Sequence, residues 1–204
     1  MYCILVTGIP AAGKSSMARK LAAHYQIPMI SKDDIKEILF DNLGFRSREE
    51  KVKEGIAAMH IMYYMAEQMM KVKKSFIIEN NFEFISKEEL DRLLNEYEYQ
   101  AITVTLTGDY PTIYQRFLKR NESPTRHRGH VVNDCYPEKE SGHKAAVLSY
   151  EDFVSGIQKC GMDQFVANGP QIIIDTTDFD KLDLDKSLNE INQLINGFTT
   201  EKRV

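Results

Sequence analysis

The eight residues "GIPAAGKS", Gly8 to Ser15, leave this chain few ways to fold. A short apolar run, Tyr2 to Thr7, leads into them, and "SMARKLAAHY", with no helix breaker, leads away. The stretch satisfies G-x-x-x-x-G-K-[ST] between an expected strand and an expected helix, the context that gives the motif its meaning. Glycine tolerates backbone angles that turn successive amide N–H groups inward, and a helix N-terminus adds partial positive charge. The spacing therefore predicts a phosphate cradle for ATP built from Gly8, Ala11, Ala12, Gly13, Lys14, Ser15 and Ser16. Lys14 is expected to reach the β- and γ-phosphates, and Ser15 to ligate Mg²⁺. Ordinary residue frequencies produce the four fixed positions in roughly one chain of this length in a hundred, before the flanking elements are required as well.

The rest of the chain alternates short apolar runs with longer amphipathic ones, as a parallel sheet covered by helices does. Expected strands are Tyr2 to Thr7, Pro28 to Ile30, Phe76 to Ile78, Ala101 to Leu106 and Gln171 to Ile174. Ser86 with Glu89, and Ser149 with Asp152, read as capping boxes before apolar residues at helical spacing. Pro111 suits a first helical turn, and Leu184, Leu188, Ile191 and Ile195 mark the last helix. Two stretches exceed a minimal alternation. Residues 41–74 contain a long helix whose Met59, Met62, Met65, Met69 and Met70 read as core, an expected insertion on the substrate side. Residues 121–144 are polar, hold Pro124 and Pro137, and read as a functional loop. The whole, 1–204, is expected to be a single domain.

Composition narrows the classes. With 43% hydrophobic residues, 27% charged and a net charge of −4, the chain is not one that grips nucleic acid over its whole surface, which requires many Lys and Arg at phosphates. Three widely spaced cysteines form no disulfide framework. No segment approaches the length of a membrane span, and a cytoplasmic protein is expected. No N-K-x-D tetrapeptide or LSGGQ-like signature points to a GTPase or a transporter ATPase.

Phosphoryl transfer needs a base near the acceptor hydroxyl. "ISKDDIKEILF" offers two carboxylates. Ser31 as N-cap with Asp34 three residues on is a capping box. Its neighbour Asp33 points about 100° away, free to face the crevice where open α/β sheets bind ligands. Further on, Arg116, Lys119 and Arg120 share one helical face, with Arg126 and Arg128 in the following loop. A solvated face accounts for Lys119.

The set "GIPAAGKSS", "ISKDDIKE", "FIIENNF" and "YQRFLKRNESPTRHRGH" resembles the P-loop small-molecule and polynucleotide kinases often labelled AAA-type. The resemblance spans nearly the whole chain, and only its first motif is highly specific. It implies an α/β three-layer sandwich with a parallel five-stranded sheet and a lid insertion at 121–144. It also implies an ATP- and Mg²⁺-dependent kinase acting on a small-molecule hydroxyl, with Asp33 as base and Arg116, Arg120 and Arg126 at phosphates. Two alternatives stay open: a 5′-hydroxyl polynucleotide kinase, for which 41–74 lacks interleaved aromatic and basic residues, and a nucleotide-dependent switch without transfer. Glu79 and Asn81 could meet acceptor or Mg²⁺, and Asp175, Thr176 and Thr177 follow the last strand where such kinases hold adenine. His127, His130, His143 and Cys135 lack the paired spacing of structural zinc ligands. Neither the acceptor nor the oligomeric state can be read.

Overall fold

The computed structural model describes residues 1–138 and 147–200. Five strands, β1 (Tyr2–Gly8), β2 (Met29–Ser31), β3 (Phe76–Glu79), β4 (Gln100–Thr107) and β5 (Gln171–Asp175), form one sheet in the order β2-β3-β1-β4-β5. Every neighbouring pair is parallel. Each strand lies within one or two residues of its expected position. The three central strands are buried on both faces, so they read in sequence as continuous apolar runs.

Alternation along the strands divides the core. Cys3 and Leu5 of β1 with Phe76 and Ile78 of β3 face one layer, while Ile4, Val6 and Ile77 face the other. The first layer is α3 (Arg48–Lys71) and α4 (Lys87–Glu96); the second is α1 (Lys14–Tyr25), α5 (Tyr110–Glu122), α7 (Tyr150–Cys160) and α8 (Leu184–Thr200). The result is a three-layer α/β sandwich. Four of the five methionines of α3 serve this core, Met62 and Met70 fully buried and Met59 and Met69 packed against them; Met65 is exposed.

Ser31 and Ser149 cap as expected: each hydroxyl accepts from the backbone N–H three residues on, at 3.3 and 3.0 Å, starting α2 (Lys32–Leu43) and α7. The expected cap at Ser86 is wrong. A 3₁₀ turn, Phe84–Ser86, runs straight into α4, so Ser86 is already helical and makes no side-chain cap. Its hydroxyl accepts from Glu83 N–H instead, as the last member of a box one turn earlier.

The segment expected as an irregular lid is partly ordered. Residues 121–138 end α5, form the short helix α6 (Arg128–Val131), and dock on α2. Phe40, Phe45 and Val132 make a small separate core with Tyr136 against it, and Phe45 and Tyr136 exchange backbone hydrogen bonds at 2.8 Å. Residues 139–144, with His143, lie outside the described residues.

Candidate active site

From β1 the chain builds β2 and β3 on one side and β4 and β5 on the other. Such a reversal opens a crevice beyond the carboxyl end of the strand, and the loop Ile9–Gly13 sits there. A cleft of about 980 Å³ is lined by Ala11, Gly13, Lys14, Ser15 and Ser16 on its floor. Gly13 has φ 89° and Ala11 φ 65°, the left-handed angles that fold the loop back on itself. Side-chain oxygens cap α2, α3, α5 and α7, but none caps α1. Its first-turn amides, which no helix satisfies internally, are thus left to whatever enters the cleft. Lys14 is buried and donates to the Ile9 carbonyl at 2.8 Å. Burial pushes its pKa down to about 8, against the opposing pull of Glu79 and Asp33.

Gly8, the last residue of β1, and Ala12 of the loop do not line the cleft. Gly8 has φ 122°, and a Cβ there would lie 1.9 Å from the Leu106 carbonyl oxygen. Its role is close passage against β4. Ala12 is fully buried in the core.

Asp33 lines the cleft and Asp34 does not. Asp34 is exposed, its carboxylate 4.0 Å from Arg19. Burial raises the Asp33 pKa, but neighbouring positive charge outweighs it and holds the carboxyl below its ordinary range. His130, itself pushed down to about 3 chiefly by burial, is neutral at pH 7. At that pH Arg126, Lys36 and Lys14 keep Asp33 ionised. Glu79, buried at the end of β3, accepts from the Ser31 hydroxyl at 2.9 Å; burial raises its carboxyl, opposed by Lys14. Asn81 also lines the cleft.

Arg120 and Arg126 face Asp33 and Lys14 from α5 and the docked segment. Arg126 Nη2 is 3.9 Å from Asp33 Oδ2. The Nε atoms of both arginines are buried without a hydrogen-bond partner. Burial brings Arg120 down to about 10. A guanidinium desolvated and left partly unpaired beside other cations is costly, and an entering oxyanion would offset that cost. Arg116 is placed differently from its two neighbours. Its fork donates to the Thr176 and Thr177 carbonyls, and its plane lies 4.0 Å from the Phe179 ring centroid. The carbonyls hold its edge, which points to stacking rather than to a phosphate contact. Lys119 is exposed. His127 and His130 pair with Asp41 and Glu37, each at 3.0 Å, and Arg128 forks onto Glu138 at 2.7 Å.

Three lining residues escaped the sequence reading. Asn80 follows β3 without belonging to any motif. Lys36 carries no motif either, although i+3 from Asp33 puts it on the same face. Phe179 sits in a 3₁₀ turn after β5 with no sequence signal, its ring edge about where a Gly13 side chain would begin, at 3.0 Å. For Mg²⁺, the Ser15 hydroxyl and the Asp33 and Glu79 carboxylates supply hard oxygen donors along the same cleft, as that cation requires.

Residues 4–142 match the model of a family described as AAA domain. No curated protein matches the sequence. Among solved structures, a candidate kinase from Chloroflexus aurantiacus J-10-fl is 23% identical over 96% of each chain, with a TM-score of 0.75. A gluconokinase from Sinorhizobium meliloti 1021 is 13% identical over 98% of this chain and 97% of its own, with a TM-score of 0.54. A shikimate kinase from Bacteroides thetaiotaomicron is 14% identical over 96% and 98%, also at 0.54. These are likenesses of fold, and the fold is that of the P-loop kinases.

Proposed function

The chain belongs to the AAA domain family, and from that premise we propose that it is a kinase moving the γ-phosphoryl group of ATP, with Mg²⁺, onto a hydroxyl of a small molecule. One observation carries the reading. A bare helix N-terminus with its lysine, two arginines with unpartnered Nε atoms and an ionised carboxylate converge on a single cleft.

Bound Mg·ATP supplies the transferable phosphoryl group, with ADP leaving. Lys14 exchanges its bond to the Ile9 carbonyl for phosphate oxygens, which the first-turn amides of α1 also hold. Ser15 would hold the Mg²⁺ ion, which would supply charge neutralisation at the phosphates. Asp33 takes the proton of the acceptor hydroxyl as that oxygen bonds to phosphorus and the bond to the departing ADP oxygen breaks. Arg120 and Arg126 neutralise charge on the phosphoryl oxygens. Arg116 and Phe179 offer a flat face to the base. Within the single domain 1–204, none of residues 41–74 lines the cleft itself; α3 among them backs α2 on the acceptor side, and the docked segment 121–138 covers the cleft as a lid that keeps water from competing as acceptor.

The test is ADP formation with a panel of small hydroxy compounds and, separately, 5′-hydroxyl oligonucleotides. Small compounds are expected to raise the rate well above the acceptor-free level. Stimulation by oligonucleotides alone would make the enzyme a polynucleotide kinase, and ADP formation that no acceptor changes would make it a switch.

A further inference from the structure

The cleft holds more positive charge than the nucleotide reading employs. Lys36, one helical turn beyond Asp33 on α2, also lines it. Its stem is wedged against α3: a Cβ on Gly55 would lie 3.5 Å from Lys36 Cε. Its ammonium lies 5.3 Å from the Phe40 ring centroid, and among the described residues it makes no ion pair or hydrogen bond. Burial lowers its pKa; Asp33 opposes this, while Lys32, Arg48 and Arg126 add to the depression. The charges that act on Lys14 are a different set, Glu79, Asp33, Arg120 and Arg126. Asp33 and Arg126 are common to both, so each lies within electrostatic reach of both lysines along the one cleft.

Two more donors share the cleft. Asn80 is 6% exposed, and its Nδ2 is buried without a partner. Arg126 Nε is likewise unpartnered, and its Nη2, 3.9 Å from Asp33, is too far for a direct hydrogen bond. An ammonium, a guanidinium and an amide N–H are donors only, and such a group of unsatisfied donors suits an oxyanion. A neutral polyol could accept hydrogen bonds there but would leave the charge of the half-buried lysine offset by Asp33 alone.

Building on the kinase reading, we infer that the acceptor is a small hydroxy compound bearing a carboxylate or a phosphate monoester. Lys36, with the Asn80 amide in the same cleft, receives that anion while Asp33 meets the hydroxyl and Arg126 stays on the transferred phosphoryl group. Lys36 is the residue that selects such an acceptor over its neutral analogues.

The experiment keeps the nucleotide site filled. Protein saturated with Mg²⁺ and a non-hydrolysable ATP analogue is titrated with inorganic phosphate and, separately, with malonate, at constant ionic strength, and its melting temperature is followed. The wild type is expected to gain a further upward shift with at least one anion. Lys36→Met should need at least about tenfold more of that anion, as the loss of a charged hydrogen-bond partner implies. Lys36→Arg should retain the response, and all three proteins should keep the shift due to the analogue, which also reports that they fold. A response confined to phosphate assigns a phosphate ester, and one confined to malonate a carboxylate. No anion response in the wild type, or an equal one in Lys36→Met, overturns the inference and leaves the kinase reading standing. Loss of the analogue's own shift in the wild type overturns both.

Discussion

Lys14 shows at the scale of one residue how function and stability pull apart. Its ammonium is buried, with a pKa depressed to about 8 by that burial, so keeping it charged in the fold costs stability. Replacing it with Met removes the charge at similar volume. The nucleotide-free Lys14→Met protein is expected to melt at or above the wild type, by a few degrees if the gain is about 1 kcal/mol, while losing most of the shift that Mg·ATP gives. The sign with pH follows. Between about 8 and the ordinary lysine value the native side chain has shed its proton and the unfolded one has not, so wild-type stability rises relative to the variant. Melts of both proteins from pH 7 to 10 should therefore converge. A gap that widens would mean that the lysine is not a desolvated cation.

Asp33 and Asp34 differ by one step around a helix, and that step was legible in the sequence because 3.6 residues per turn separates them by 100°. Asp33→Asn should leave nucleotide affinity nearly intact and lower turnover by about 10² to 10⁴. Asp34→Asn removes only a charge near the helix start and a long, exposed contact with Arg19, worth at most about 1 kcal/mol. Steady-state rates and melts of the two variants should have opposite signatures; full turnover in Asp33→Asn would misplace the base. Asn80 was not legible in the same way. Three polar residues in a row end β3, and which of them is buried depends on packing against α2 and the cradle, not on any local pattern.

Among the elements, the strands and capped helices were readable because local signals and tertiary burial agree. Ser86 failed because a 3₁₀ turn upstream had already used the cap position. The expectation of an irregular loop failed over 121–138 for another reason: the segment's polarity hid Gly129 and Val132, which anchor it. Gly129 is where α6 crosses Phe40, and a Cβ there would lie 2.4 Å from the fully buried Phe40 ring. Neither group can swing into solvent without opening the small core of Phe40, Phe45 and Val132. Gly129→Ala is therefore expected to weaken docking by about 1–3 kcal/mol. Limited proteolysis within 121–138 should be several-fold faster than in the wild type, with the Mg·ATP melting shift retained. Equal cleavage would show that these contacts do not hold the segment down.

For the whole molecule, strand order decides where chemistry can occur. A sheet ordered β2-β3-β1-β4-β5 brings the end of β1 between neighbours that arrive from opposite directions along the chain. The phosphate loop, the carboxylates after β2 and at the end of β3, and the arginines after β4 thus meet at one edge. The first motif announced that edge, and the alternation of runs announced a parallel sheet. What sequence could not announce is the depth of the site, because the burial of Asn80 and of the Arg120 Nε atom and the half-burial of Lys36 arise only when segments distant in the chain close around them. The central claim is transfer to a small molecule, and it is tested most directly by following the label of γ-phosphoryl-labelled ATP in a mixture of small hydroxy acids, sugars and sugar phosphates. Wild-type protein is predicted to move the label into an organic phosphate, and Asp33→Asn to lose that transfer while still binding ATP. Label that appears only as inorganic phosphate, whatever compounds are present, would contradict it.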